Sequence, residues 1–593
     1  MTQVLVATDV PASDATVGPR LHLSGTPSLV IGGVHEPLLE HEEVVELQRA
    51  ANAFAEAYTR EAEAALLAAG PVGLAGLDDA GLARLVYAAT KLDSLRLAGR
   101  LLTDATATSR AVGRLRPSRI AWTFAAPRRA VAIAEAAGVS ELSDYARSAA
   151  PPASPSEHVV AFLKVRRLDA TARLLASAAR GAPRPAVAPG AVLGLFDVRN
   201  AGMVHNLEDV LSAVRSAGGS TLALACDPRI EALRASRGGG PSAALAAWVT
   251  ARGLAWSTSR AATVARQVRS LAESGRVVGE GDLVSAELAR SVRRRIGLQF
   301  TTTYVWQCLV DAHAIDACLA EVEPRVMVTS SDAHRYSRLM VLLARGRGVP
   351  SAVIQHGALV GESVYVPIVA DLMAAWGPWC RDWFVARGTP PERVVAAGVP
   401  RAEERRQQRP SGAARRLLFP AQPLPLEVTF DLLAMAVDHL RRHPETTLRV
   451  RPHPGESRVT ALRAHVSRLP EGLAARVAVG EPGRPLSEDL DWADVVLTAE
   501  STVGIDALVH GVPIVILRHP RVRSAIPFAE LGAGPEAHDG ETLSRAIGEV
   551  AAGACADGAS SFLEAYVGDS GPEAAEDVAR HVLRLAHAHG GAP

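Results

Sequence analysis

The sequence predicts two doubly wound α/β domains, each on a parallel sheet, facing one another across a cleft, with a smaller α/β region ahead of them. Three observations predict this. From residue 191 onward, short apolar runs alternate with helix-length amphipathic segments, the rhythm of strands that need crossover helices to run parallel. The runs, such as Val192-Leu193-Gly194-Leu195-Phe196, do not alternate in polarity, as expected of strands covered on both faces. The pattern also continues to the end of a 593-residue chain, more than one hydrophobic core holds, since cores stop growing near about 250–300 residues.

Element by element, Val4–Thr8 and Ile120–Phe124 read as strands and Glu40–Leu67 and Leu82–Leu102 as helices, giving an N-terminal α/β accessory region over 1–150. Two Pro-rich stretches, 149–156 and 182–190, mark a Pro/Ala-rich linker with a helix over 151–190. Val192–Phe196, a polar loop Asp197–Asn206, a helix Leu207–Ala217 stopped by Gly218-Gly219, and Thr221–Ala225 form a βαβ unit. The rhythm returns at Arg325–Thr329, His334–Arg345 and Ser351–Ile354. It continues through strands at Asp371–Trp376, Val394–Ala397, Leu417–Phe419, Thr447–Val450, Val495–Thr498 and Ile514–Leu517. The break between sheets is placed near Pro367, giving domains at 191–368 and 369–593.

Composition excludes several classes. Sixty-three Lys+Arg balance 63 Asp+Glu, so no whole-protein electrostatic grip on nucleic acid is expected. Five scattered cysteines form no C-x-x-C pair, which fits reduced thiols and a cytoplasmic setting rather than a disulfide framework. The first residues, Met1-Thr2-Gln3-Val4-Leu5-Val6, lack a basic segment before an apolar one, so no secretory signal is expected. No uncharged apolar run reaches 18 residues. No G-x-x-x-x-G-K-[ST] occurs and no His/Cys cluster has metal-ligand spacing, so neither a P-loop nor a metal is expected.

Parallel sheets present ligands at the carboxyl ends of their strands, and three polar segments fall there. In Arg449-Val450-Arg451-Pro452-His453-Pro454 a strand ends on Arg451 and His453 between prolines that fix the backbone. Arg451 offers a donor fork for phosphate and His453 a donor to a phosphate oxygen; the bland reading is a rigid turn with surface charges. In Thr498-Ala499-Glu500-Ser501-Thr502-Val503-Gly504 a strand gives way to a helix, so backbone N–H groups and two hydroxyls converge on one point. Glu500 is placed to accept from a ribose or amine, and the bland reading has Ser501 only capping the helix. In Ile354-Gln355-His356-Gly357 the glycine permits close ligand approach and His356 is a candidate general base, or else a structural histidine bonded to a neighbouring loop. Ser330-Ser331-Asp332 and Asp197-Val198-Arg199-Asn200 end two further strands. Asp332 reads either as a base, or base-orienting carboxylate, or as the N-cap of the next helix.

The segments Arg451-Pro452-His453-Pro454 and Glu500 through Pro513 resemble the His-Pro and Ser-Ser/Thr motifs of GT-B transferases. They are most similar to capsule Kdo transferases, bacterial polysialyltransferases and CDP-glycerol glycerophosphotransferases, over roughly 191–587. The resemblance implies a GT-B-like fold whose last helix, Glu573–His587, crosses back to the N-terminal domain. It also implies that His453, Ser501 and Thr502 contact the phosphate of a cytidine-nucleotide donor, a CMP-sugar or CDP-glycerol, and that His356-Gly357 supplies a base. Gln355 stands where the glycerophosphotransferases carry an aromatic residue, and no acidic pair followed by glycine is present.

The expectation is therefore a metal-independent glycosyltransferase of bacterial surface polysaccharide synthesis. It needs no cofactor beyond the activated donor, acts on a glycan or lipid-linked glycan acceptor, and works in the cytoplasm, peripherally at the inner face of the membrane. A non-hydrolysing UDP-sugar 2-epimerase and a catalytically inactive scaffold in a capsule assembly complex are the alternatives. Arg293-Arg294-Arg295 and Arg401–Arg416 read as solvated basic faces, or else as contacts for an anionic membrane or glycan, and Trp376, Trp379, Trp383 and Phe384 as one helical face in the hinge-side core, or else a sugar-stacking surface.

Overall fold

The structure, a computed structural model, describes residues 4–8, 20–22, 28–31, 34–39, 43, 47, 50–51, 74–117, 119–122, 133–139, 143–145, 184–185 and 189–589. Within the last span it leaves out 199, 228, 275–285, 360–361, 401–413, 423, 425, 454–458, 482, 521 and 523–524. Most of the helix expected at Glu40–Leu67, most of both linker stretches, Arg199, nearly all of the Arg401–Arg416 cluster and Pro454-Gly455-Glu456 lie outside the described residues.

Among the described residues the strands form three separate sheets. The first holds β1 (Val4–Thr8), β2 (Arg20–His22), β3 (Ser28–Ile31), β4 (Val34–Pro37), β5 (Arg119–Trp122) and β6 (Ser143–Tyr145) in the order β4-β3-β2-β1-β5-β6. It is mixed: β1 runs parallel to β2 and β5, while β3 runs antiparallel to both its neighbours. The accessory region thus has a sheet of its own and does not extend the next one. Its helical stretch is two helices rather than one. Asp78 caps Asp79–Ala89 by accepting from the Gly81 N–H at 2.7 Å, and after Thr90 a second helix runs Lys91–Leu115. These helices pack on Ala251–Ser274 and Ala286–Gln299, with Arg260 paired to Asp79 at 2.7 Å and the Lys91 ammonium donating to the Val366 carbonyl at 3.0 Å.

The second sheet holds β7 (Val192–Phe196), β8 (Thr221–Ala225), β9 (Ser242–Ala244), β10 (Val326–Thr329), β11 (Ser351–Ile354), β12 (Leu372–Ala375) and β13 (Val394–Ala396). Their order is β13-β12-β11-β10-β7-β8-β9. The helix after β7 starts at Ala201, earlier than expected, because Asn200 caps it: its side chain accepts from the Met203 N–H at 3.1 Å. Gly218, at φ 84, ends the region of that helix in a left-handed turn that a side chain would resist.

The third sheet holds β14 (Arg416–Pro420), β15 (Thr447–Arg451), β16 (Val477–Val479), β17 (Val495–Thr498), β18 (Ile514–Leu517) and β19 (Glu536–Ala537), in the order β16-β15-β14-β17-β18-β19. All its recorded pairings are parallel. Every residue of β17 and β18 is buried, and Leu417, Phe419, Leu497 and Val515 form a core with Leu432, Leu433 and Leu440 of the Leu426–Arg442 helix. Each such buried side chain contributes about 1.5–3 kcal/mol. β15 alternates instead, so Thr447, Arg449 and Arg451 share its less buried face.

Residues 1–353, 363–372 and 582–593 form one compact unit, and residues 354–362 and 373–581 form the other. The chain contains two doubly wound parallel-sheet α/β domains, the building blocks of a GT-B-like fold. Among the described residues no helix is long and apolar enough to cross a membrane.

Candidate functional site

In the third sheet the strand order reverses between β14 and β17, and ligands of open α/β sheets bind outside the carboxyl ends of the strands at such a point. β14 leads into Ala421-Gln422 and β17 into Ala499-Glu500-Ser501-Thr502. The two ends are tied together: the Glu500 N–H donates to the Gln422 side-chain oxygen at 3.3 Å, with Gln422 only 8% exposed. Burial raises the pKa of the Glu500 carboxyl above its ordinary value. The next turn is held by its own side chains. The Ser501 N–H donates to Thr498 Oγ1 at 3.1 Å, and Ser501 Oγ accepts from the Val503 N–H at 3.2 Å. The cap position of the Val503–Val509 helix belongs to Thr502, whose side chain makes no capping bond. Ser501 is therefore a turn residue beside the cap rather than the cap itself.

Arg451 is placed differently from the expectation that it reaches a donor phosphate. Its guanidinium pairs with the carboxylate of Asp489 at 2.5 Å and donates to the Arg484 carbonyl at 2.8 Å. Arg449, on the same face of β15, pairs with the other Asp489 oxygen at 2.9 Å and lies 4.0 Å over the Trp492 ring. Asp489 is 3% exposed in its side chain and Arg451 13%, so these groups lock the end of β15 to the Leu486–Trp492 helix. His453, two residues further on, is exposed.

The Gln355-His356-Gly357 turn follows β11. Gln355 is fully buried, and its side chain donates to the Gly357 carbonyl at 2.9 Å and accepts from the Trp376 N–H at 2.9 Å. Its backbone carbonyl accepts from the Trp376 indole at 3.0 Å. The Gln355 amide thus fixes a turn that carries half-buried His356. Trp376 also lines a small apolar pocket with Thr502, Ile505, Asp506 and Val567. One indole therefore joins the His356 turn to the helix that begins after Thr502, and both lie in the same compact unit with Glu500, Ser501 and His453.

Asp332 belongs to the other unit. It caps no helix, because the next helix starts at Arg335 with His334 in the cap position. Its carboxylate accepts instead from the backbone N–H groups of Val369 and Ala370, the latter at 3.1 Å, and its residue is 3% exposed; it clamps the chain entering β12. At the corresponding reversal of the second sheet, between β7 and β10, Asp197 Oδ2 lies 3.6 Å from His334 Nδ1. Below them Asp311 pairs with Arg335 at 2.7 Å, and burial pushes the Asp311 carboxyl up to about 6. Trp376, Trp379, Trp383 and Phe384 do not form one face: Trp376 and Phe384 are buried, whereas Trp383 is half-buried beneath the Arg387 guanidinium at 3.9 Å.

Sequence reasoning did not single out Gln422 or Asp489. Gln422 could have been found from its position just past an apolar strand; Asp489 carries no local signal. Among the described residues no group of three or more His, Cys, Asp or Glu is placed to hold a metal ion.

Residues 381–525 match a family model described as "Putative glycosyltransferase (DUF6716)". The span contains Gln422, Arg451, His453, Glu500, Ser501 and Thr502 and leaves out His356 and Asp332. No curated protein sequence matches the chain. Similar solved structures include one described as a "putative UDP-N-acetylglucosamine 2-epimerase" from Listeria monocytogenes, with 13% identity over 68% of this chain and 97% of that one and a TM-score of 0.44. Others are the glycosyltransferase of kitacinnamycin (16% identity, 68% and 100% coverage, TM-score 0.40) and the spinosyn rhamnosyltransferase (15%, 65% and 98%, TM-score 0.37). The chain's own strand order, rather than these distant likenesses, defines its fold.

Proposed function

We propose that the chain is a nucleotide-sugar-dependent glycosyltransferase of bacterial surface polysaccharide synthesis, moving a sugar or polyol phosphate from a cytidine-nucleotide donor to a glycan hydroxyl. The observation that carries the reading is the strand reversal of the third sheet. There the Gln422–Glu500 bond fixes the Ser501-Thr502 turn at the carboxyl ends of β14 and β17, inside the stretch similar to a glycosyltransferase family model.

In this scheme Ser501, Thr502 and the exposed His453 meet the donor phosphate, and Glu500 accepts from the nucleoside. Arg451 holds the end of β15 through Asp489 so that His453 is presented. His356 takes the proton of the acceptor hydroxyl as its oxygen bonds to the transferred group. The bond to the donor phosphate oxygen breaks, and the charge that develops there is met by the two hydroxyls, His453 and nearby backbone N–H groups, so no metal is required. Asp332 keeps the entry to β12 in place. The protein acts on a lipid-linked glycan from the cytoplasmic side of the membrane.

The test is release of CMP from a CMP-sugar or from CDP-glycerol in the presence of a glycan acceptor, with wild type, His356→Gln and His453→Ala. Transfer that falls at least about 100-fold in both variants fits the general-base and electrostatic contributions assigned to them. Interconversion of a UDP-sugar without an acceptor would favour the epimerase alternative, and turnover unchanged in both variants would overturn the scheme.

A further inference from the structure

The segment Leu563–Val567 is a single π-helical turn, a form that is rare and costs regular hydrogen bonding, so it persists where surrounding contacts demand it. Its polar atoms go to places more than 180 residues away in sequence. The Leu359 N–H donates to the Tyr566 hydroxyl at 3.1 Å, and the Tyr566 carbonyl accepts from the Gly377 N–H at 3.0 Å and the Cys380 thiol at 3.3 Å. Tyr566 is fully buried, and its ring lies 5.3 Å from Trp379 and 6.1 Å, edge-on, from Trp376. The approach is so close that a Cβ on Gly377 would sit 2.3 Å from the Ala565 carbonyl oxygen. The next residue, Val567, lines the same pocket as Thr502.

We infer that Tyr566 is a positioning residue for His356: its hydroxyl holds the chain three residues beyond the histidine, while the turn it sits on braces Trp376 and the helix that follows Thr502. The bulge gives Tyr566 the register to reach both Leu359 and Gly377, which continuous α-helix on this stretch would change. Gln355 pins the start of the His356 turn from the strand side, and Tyr566 pins its end. The imidazole is thereby held at a fixed height relative to the Ser501-Thr502 turn. Tyr566 touches neither donor nor acceptor; it acts through the loop. This rests on the reading of His356 as the base.

The test variant is Tyr566→Phe, which keeps the ring stack and deletes the hydroxyl, compared with His356→Gln. Three readouts are taken: amide exchange over residues 355–360, nucleotide affinity, and the pH dependence of kcat. The expected result is faster exchange of that segment by an order of magnitude or more, nucleotide Kd within twofold of wild type, kcat down about tenfold and the acid limb of the kcat profile moved. Wild-type exchange, or a wild-type kcat and pH profile in Tyr566→Phe alongside an inactive His356→Gln, would overturn the inference. An active His356→Gln with altered exchange in Tyr566→Phe would instead remove the base assignment while leaving the clamp. If Tyr566→Phe melts too low to assay, Cys380→Ala, which deletes a second bond to the same turn, takes its place with the same readouts; wild-type exchange and kcat there would count against the inference.

Discussion

Replacing Asp489 by alanine removes a carboxylate that faces both Arg449 and Arg451, at 2.9 and 2.5 Å. The carboxylate is 3% exposed and the two arginines 16% and 13%, so both guanidinium charges would lose this partner while left largely out of water. Breaking a buried pair in this way costs about 3–5 kcal/mol. At roughly 2–4 °C of Tm per kcal/mol for a unit of about 200 residues, that is a loss of roughly 6–20 °C. Scanning calorimetry, followed in parallel by tryptophan fluorescence because Trp492 lies under Arg449, reads the change. Replacing Arg449, Arg451 and Asp489 together with apolar residues of similar volume should recover most of it, since the penalty belongs to the orphaned charges rather than to the lost pair. A Tm within about 2 °C of wild type for Asp489→Ala would mean that water reaches the arginines, and the account of Arg451 as a brace would fail.

Three further outcomes are expected. Burial on the Leu426–Arg442 helix and the neighbouring His443 ring lower the His439 pKa from 6.5 to about 4; the unfolded chain then binds more protons between those values, so stability is complete above pH 6.5 and falls as pH drops towards 4. The loss amounts to about 3 kcal/mol, and denaturant melts at pH 7 and pH 4 should show it in wild type but not in His439→Gln. Gly377→Ala drives a methyl into backbone at 2.3 Å and should cost about 1–3 kcal/mol by overpacking; an unshifted urea midpoint would show that the π-helical turn gives way freely. Glu500→Gln removes a half-buried carboxylate placed for a nucleoside hydroxyl and should weaken nucleotide binding by about 1–3 kcal/mol, which titration calorimetry would contradict with a Kd within twofold of wild type.

Five buried strands were legible residue for residue, because a strand covered on both faces is largely apolar, while those expected at Arg325–Thr329 and Asp371–Trp376 were placed to within one residue at their ends. Val192–Phe196, Thr221–Ala225, Ser351–Ile354, Val495–Thr498 and Ile514–Leu517 stand where their apolar runs put them. Of the short edge strands, Val394–Ala396 was found from its apolar run, but Ser242–Ala244, Val477–Val479 and Glu536–Ala537 were not. The start of the Ala201–Ser216 helix was hidden in a polar segment and depends on one cap, Asn200. At the site, the strand-end rule led to His356, His453, Glu500, Ser501 and Thr502. What it could not show is where side chains are spent: Arg451 on Asp489, 38 residues away, Gln422 on the Glu500 backbone, 78 away, and Asp332 on the Val369 and Ala370 backbone. Those pairings exist only once the sheets are assembled.

Nucleotide binding by Ser501, Thr502 and His453 is tested most directly by thermal stabilisation with CMP, CDP, UMP, UDP and GDP in wild type and in the double variant Ser501→Ala/His453→Ala. A ligand at 100 times its Kd adds about 2.7 kcal/mol of stability, well within detection. Stabilisation by a cytidine nucleotide in wild type and its loss in the double variant are expected; stabilisation by none of the five in wild type would contradict a nucleotide-dependent transferase.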